Sequence, residues 1–230
     1  MRIFNYEIER EKLILCGEVL LLFLCFFMPI TVTSSSGNNP DNPGSFSVSM
    51  INYILAAGPQ IFLIIYLIWL KQDVKLPNFG VHFPVPKDFL YGLGHALVLF
   101  ILLLFVSSLV RFFPETVQRF MEPATEVQFG SRSNPLLVLI FSLTTGYREE
   151  LFFRAYLLTR FKQLGLDLKK AVALSAVLFG CMHFYQGLFG VLFTGLVGVY
   201  LALVFLKTRS LNMIAFAHAV FNTMMLLLST

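Results

Sequence analysis

The stretch 135-PLLVLIFSLTTGYREELFFRAYLLT-159 carries Glu149, Glu150 and Arg154 inside a run otherwise apolar enough to cross a bilayer. A charge at the centre of a membrane helix costs roughly 2.5 to 3.5 kcal/mol on insertion scales, so such residues persist where they have a partner or a task. Spacing separates the two cases. Glu150 and Arg154 stand four apart with the acid on the N-terminal side, the order that favours an ion pair on one helix. Glu149 lies about 100° round the helix from Glu150 and can project elsewhere. The apolar period continues through the cluster and predicts one long helix over about Pro135–Thr159.

Composition extends this reading to the whole chain. Of 230 residues 57% are apolar and 13% charged, with 26 Phe, outside the balance of a soluble domain. The fold class that follows is all-α, a polytopic transmembrane helical bundle, because hydrocarbon leaves no water to satisfy an open backbone. Seven spans are expected, at about Leu13–Val32, Val48–Leu70, Phe89–Val110, Pro135–Thr159, Ala171–Tyr185, Leu188–Leu206 and Leu211–Leu228. Pro29 should bend the first and Pro59 kink the second. Glu18, the one charge of span one, is expected to reach toward the headgroups. Ser34–Ser47 reads as a loop, as does Lys71–Lys87 with Pro77, Pro84 and Pro86. Between Arg111 and Asn134, the residues Phe112, Phe113, Val117, Phe120 and Met121 are spaced for a short surface helix that Pro123 ends.

The net charge of +4 does not point to nucleic acid, because the Lys and Arg residues stand at the ends of apolar runs and read as topology determinants. Twelve of the 17 fall on the side of the N-terminus and three (Arg111, Arg119, Arg132) on the other, with Arg148 and Arg154 inside span four. That bias favours a cytoplasmic N-terminus. Arg2, Arg10 and Lys12 before an apolar run suggest a signal peptide. The run is too long for one and Thr33-Ser34-Ser35 is a poor cleavage site, so an uncleaved anchor is expected. The chain is thus an integral, multi-pass protein, of the inner or plasma membrane if bacterial. Cys16, Cys25 and Cys181 lack metal-type spacing and read as small core residues.

With a rise of about 1.5 Å per residue, Glu149 lies roughly 16 Å from the cytoplasmic end of span four, His183 roughly 20 Å into span five, and His218 and Asn222 roughly 13 and 20 Å into span seven. Three helices therefore place their most polar side chains in one layer. His218 and Asn222 share a face at i, i+4, and Phe179 and His183 repeat that spacing. A carboxylate and a histidine at one point can take a proton from water and return it to a leaving amine. A second histidine and an amide can hold the developing oxyanion. No Gly-x-Ser-x-Gly occurs, and Cys181 points about 200° from His183, so neither supplies a nucleophile.

These motifs, Glu149-Glu150-Leu-Phe-Phe-Arg154, Phe179-Gly-Cys-Met-His183 and His218-Ala-Val-Phe-Asn222, resemble those of the CPBP intramembrane proteases, which include the CAAX prenyl endopeptidases and the bacterial Abi proteins. Gly195 to Tyr200 followed by Lys207 to Leu211 also looks like that family's penultimate helix and turn. The resemblance covers about Pro135–Thr230. It implies protease-like catalytic helices at 135–230, with 1–134 supplying N-terminal helices and loops to one membrane domain. It further implies that Glu149 and His183 activate water, that His218 and Asn222 form the oxyanion site, and that Glu150, Arg154 and Phe179 support them. A metal-free mechanism is the favoured expectation. Glu149, His183 and His218 are also a zinc set with an open position, so zinc or another divalent ion stays an alternative.

The implied partners are a peptide or protein substrate at the membrane and the lipid bilayer, with no nucleic acid. The competing readings are a non-proteolytic scaffold of the same fold and, ranked below it, a proton-coupled transporter. No internal repeat supports the latter. His95, beside Gly92 and Gly94, reads as an interhelical hydrogen-bonding residue, Tyr200 as structural, and Gly195 with Gly198 as a close helix contact. His82 is assigned no role.

Overall fold

Helix α1 spans Arg2–Phe27, α2 Pro43–Leu70 and α3 Pro86–Val110, with a 3-10 turn at Leu76–Phe79 before α3. Helix α4 (Pro135–Glu150) runs through a π-helical segment (Leu151–Leu157) into α5 (Leu158–Gln163). Then come α6 (Leu168–Met182), a 3-10 turn (Phe184–Gln186), α7 (Gly187–Thr208) and α8 (Leu211–Leu228). The computed structural model describes residues 2–27, 43–70, 76–115, 118 and 134–228, and among these there is no strand. Pro29, Ser34 to residue 42, residues 71–75, Val117, Phe120, Met121 and Pro123 lie outside the described residues.

The starts of the helices follow local chemistry. The Asn134 side chain accepts a hydrogen bond from Leu136 N at 2.9 Å ahead of Pro135, and Asp167 does the same for Lys170 N at 3.0 Å ahead of α6. Asp88 turns back on the first turn of α3, accepting from Val85 N at 3.0 Å and from the Ser210 hydroxyl at 2.6 Å. That second bond ties the start of α3 to the start of α8. Gly80, at φ +71°, sits so close to the end of α7 that a Cβ would lie 2.7 Å from the Phe205 ring and 2.8 Å from Arg209 O.

Four helical stretches are long and apolar enough to cross a membrane, Phe46–Leu70, Pro86–Val110, Phe184–Thr208 and Leu211–Leu228. The other three expected spans differ for physical reasons. Helix α6 has 15 residues, about 22 Å, which falls short of the hydrocarbon thickness. Helices α1 and α4–α5 carry charges, of which Arg148, Glu150, Arg154 and Arg160 are buried.

The centre of the bundle is the helix read first in the sequence. Every residue from Leu151 to Leu157 is buried, including Arg154. Helix α4 packs against α2 and α8, α6 against α7, and α3 against α8. From α1, Phe27 lies 4.9 and 5.0 Å from Phe152 and Phe153 by ring centroid. The uninterrupted α-helix expected over Pro135–Thr159 is corrected here. The π-helical turn widens the backbone directly after the charged pair, and Ser175 of α6 donates to Phe153 O at 3.0 Å. A wide turn of this kind disturbs the regular ladder and is common at functional sites.

Glu18 is the second correction. It does not reach toward the headgroups. Its carboxylate pairs with the fully buried Arg160 at 3.0 Å and accepts from the Tyr156 hydroxyl. Arg160 also donates to Gln163 Oε1 at 3.0 Å and stacks its guanidinium 4.8 Å from the Tyr156 ring. A buried cation gains more from a fixed carboxylate than the carboxylate gains from the headgroup region. Glu18→Ala is expected to destabilise the protein by about 3 kcal/mol or more, because Arg160 keeps its charge and loses its partner. Thermal unfolding in detergent against wild type measures this. The cysteines also differ from expectation, since Cys16, Cys25 and Cys181 are all exposed. On an apolar outer face a small sulfur side chain meets no penalty.

Candidate active site

Arg154 Nε stands 3.1 Å from Glu150 Oε2, and both side chains are fully buried. The guanidinium lies over the Phe179 ring at 4.2 Å, with Phe153 at 5.7 Å. Contact by charge does not satisfy all the hydrogen-bonding capacity of the pair. Glu150 Oε2 and all three Arg154 nitrogens are buried without a geometrically proper hydrogen bond, as is Glu149 Oε2. So many orphan polar atoms in one place are what an ordered water would satisfy.

Glu150 does more than neutralise Arg154. Its Oε1 accepts from His218 Nδ1 at 2.8 Å, joining α4 to α8. With Nδ1 engaged, His218 presents Nε2, which lies 3.9 Å from Glu149 Oε2. One imidazole therefore stands between the two adjacent carboxylates. Glu150 fixes the ring, as the carboxylate partner of a histidine commonly does.

His183 reaches the same place from α6. The helix stops at Met182, so His183 is its C-cap and the residue after it enters a 3-10 turn, where the sequence predicts a helix to Tyr185. The physical cause is Gly187, at φ +75°, which reverses the chain into α7. His183 Nδ1 donates to Phe179 O at 2.8 Å, leaving Nε2 as the nitrogen with a free lone pair. Phe179 separates the imidazoles, its centroid 4.8 Å from His183 and 6.0 Å from His218. Glu149, His183 and His218, with Glu150, Arg154 and Phe179, are thus brought together. Asn222, one turn on from His218 in α8, is partly exposed and makes no hydrogen bond among the described residues. Also among these residues, no three His, Cys, Asp or Glu side chains are gathered as a metal set.

Small residues allow the approach. A Cβ on Gly146 would lie 2.6 Å from Ala215 O and 3.2 Å from Ala219 N, so α4 and α8 touch by backbone one turn from Glu150 and His218. Gly146→Ala is expected to push the helices apart and destabilise by about 1 to 3 kcal/mol. Thermal unfolding in detergent against wild type measures this. Gly198 is likewise tight, with its Cβ position 3.2 Å from Ala176 Cα, whereas Gly195 has only Ala176 O at 3.9 Å.

Arg148 received no role from the sequence, although its burial in an apolar span is the same signal that singled out Arg154. It is 1% exposed and donates to Gln60 Oε1 at 2.5 Å, to Tyr53 Oη at 2.9 Å and to Phe26 O. Its guanidinium lies 4.4 Å over the Phe27 ring. All its donors face α1 and α2, so it binds the N-terminal helices to the helix that carries Glu149. His95 and Tyr200 form the interhelical bond expected, at 2.6 Å. His82 meets Asn212, which donates to His82 O at 2.9 Å and accepts from Tyr147 Oη at 3.1 Å.

Residues 131–224 match the family model described as type II CAAX prenyl endopeptidase Rce1-like. Comparison with the curated proteins and with the solved structures finds no match.

Proposed function

We propose, from the match of residues 131–224 to the type II CAAX prenyl endopeptidase Rce1-like family model, that the chain is an intramembrane endopeptidase in which Glu149 activates water. Its substrates are membrane-associated or C-terminal, lipidated peptides. The observation that carries this is Glu149 Oε2, a buried carboxylate oxygen without a partner, 3.9 Å from His218 Nε2. An acid kept only for structure would be paired, as its neighbour Glu150 is.

In this mechanism the water lies among Glu149 and the two imidazoles. Glu149 takes its proton as the oxygen attacks the scissile carbonyl, and the proton passes to the departing amine. His183, held by Phe179 O, offers its Nε2 lone pair to the same water. His218, with a proton on Nε2 as well as the one Nδ1 gives to Glu150, donates from Nε2 to the developing oxyanion, its ring fixed by Glu150 and Arg154. No step here draws on a metal. If zinc or another divalent ion takes part, Glu149, His183 and His218 are the residues to hold it, supplying polarisation of the carbonyl and the water. A cytoplasmic N-terminus completes the reading.

The test compares membrane and secreted peptides from cells carrying wild type and Glu149→Ala. Peptides cut only by wild type support the endopeptidase; identical profiles with both proteins expressed would favour the scaffold.

A further inference from the structure

Side chains two apart on a helix point about 200° from each other and do not meet. His183 and Tyr185 escape that rule because α6 stops at Met182 and Phe184–Gln186 form a 3-10 turn. Their rings stack instead, with centroids 6.0 Å apart and planes at 28°, within the range in which aromatic pairs attract. The geometry points to Tyr185 as a positioning residue for His183, its ring fixing the plane in which Nε2 meets the water. The inference rests on the endopeptidase reading and adds to it a residue outside the three motifs.

A single hydrogen bond does not fix an imidazole. Rotation about the Cβ–Cγ bond of histidine is broad, so Nδ1 can keep its 2.8 Å bond to Phe179 O while the ring swings. Ring contacts limit that swing. Phe179 supplies one, its centroid 4.8 Å from His183 at 57°, and Phe179 is itself buried against the Arg154 guanidinium at 4.2 Å. Tyr185 supplies the second and lies nearer to parallel.

Tyr185 is 43% exposed, so packing alone does not hold it. Gln186 does, since its Nε2 donates to Tyr185 Oη at 3.0 Å. Gln186 is held in turn by α7. A Cβ on Gly190 would collide with Gln186 Cβ and lie 3.1 Å from its Oε1, so the Gln186 side chain fills the space that the missing side chain leaves. Gln186 N also donates to His183 O at 2.9 Å and closes the turn. Gly190, Gln186, Tyr185 and His183 thus form one connected series from α7 to the imidazole. Hydrolysis has a use for it, because a reacting group misplaced by about 1 Å can cost about 10²-fold in rate.

The experiment uses the full chain in detergent and a synthetic peptide spanning the bond cut by wild type but not by Glu149→Ala, at a temperature where all variants are folded. Tyr185→Leu is expected to lower kcat about 10- to 30-fold with KM within about threefold, the pattern of a group that acts in the transition state. Tyr185→Phe keeps the ring and should restore kcat to within about threefold of wild type. Phe184→Leu, the other aromatic of the turn and 73% exposed, is the control and should leave kcat near wild type. A second readout does not need cleavage. Spectra of ¹⁵N-labelled histidine at about pH 8, where imidazole is ordinarily neutral, should show the wild-type His183 signal, identified by its absence from His183→Gln, with the proton on Nδ1. Tyr185→Leu should move that signal toward the average of the two tautomers. Wild-type kcat in Tyr185→Leu, an equal loss in Tyr185→Phe, a rise in KM with kcat kept, or an unmoved His183 signal each overturns the inference. A wild type that cuts no peptide while the His183 signal moves as stated removes the endopeptidase reading and supports the hold of Tyr185 on His183.

Discussion

Glu149→Gln in the purified protein is expected to lower kcat by about 10² to 10⁴-fold, the contribution of a positioned general base, while the melting temperature stays at or above that of wild type. The two halves of this result have separate causes. The amide keeps the shape and cannot take a proton from water. Stability is retained because Glu149 Oε2 forms no hydrogen bond and stands 3.9 Å from His218 Nε2, so its charge has little to lose. A buried carboxylate without a partner is a cost that the native state carries for another purpose, as strained or unsatisfied groups at functional sites commonly are. Glu150→Gln, one residue away, provides the contrast, since it removes the partner of both Arg154 and His218 and should lower the melting temperature. Full cleavage by purified Glu149→Gln would end the glutamate mechanism.

The contrast also marks how far the sequence could be read. The i, i+4 spacing of Glu150 and Arg154 was sufficient for their ion pair, and motif depth was sufficient to bring His183, His218 and the acids into one place. Both are local or additive properties, a period and a rise per residue. What the sequence could not show is how that period is broken. The π-helical turn at Leu151–Leu157 and the stop of α6 at Met182 depend on tertiary bonds, from Ser175 to Phe153 O and around Gly187. Partners from distant elements were equally out of reach. Glu18 and Arg160 are 142 positions apart, and nothing in either neighbourhood distinguishes an inward carboxylate from one that snorkels. Arg148 is different, because the cost of an intramembrane charge was available as a signal and pointed to it as strongly as to Arg154. Among the described residues, three buried charges join helices. Arg148 holds α1 and α2 to α4, Arg160 holds α1 to α5, and Glu150 holds α8 to α4.

Arg154→Ala should give the largest loss of stability of any single substitution at the site, about 3 to 5 kcal/mol, because Glu150 is left charged at full burial. Cleavage falls with it. Without the guanidinium, Glu150 has no fixed countercharge to hold the orientation in which Oε1 receives His218 Nδ1, and the Phe179 ring between the imidazoles loses the group stacked on it at 4.2 Å. Arg154→Lys should recover only part of the loss, since an ammonium cannot lie flat on that ring while meeting the carboxylate. Adding Glu150→Gln to Arg154→Ala separates charge from orientation. The double variant removes the unpaired charge, so its melting temperature should rise above that of Arg154→Ala, while kcat stays low because His218 has lost its carboxylate. Unfolding and cleavage measured on the four proteins of this cycle decide the matter. Losses of stability that simply add would mean that Glu150 and Arg154 are not coupled, and recovery of kcat in the double variant would mean that Glu150 does not position His218.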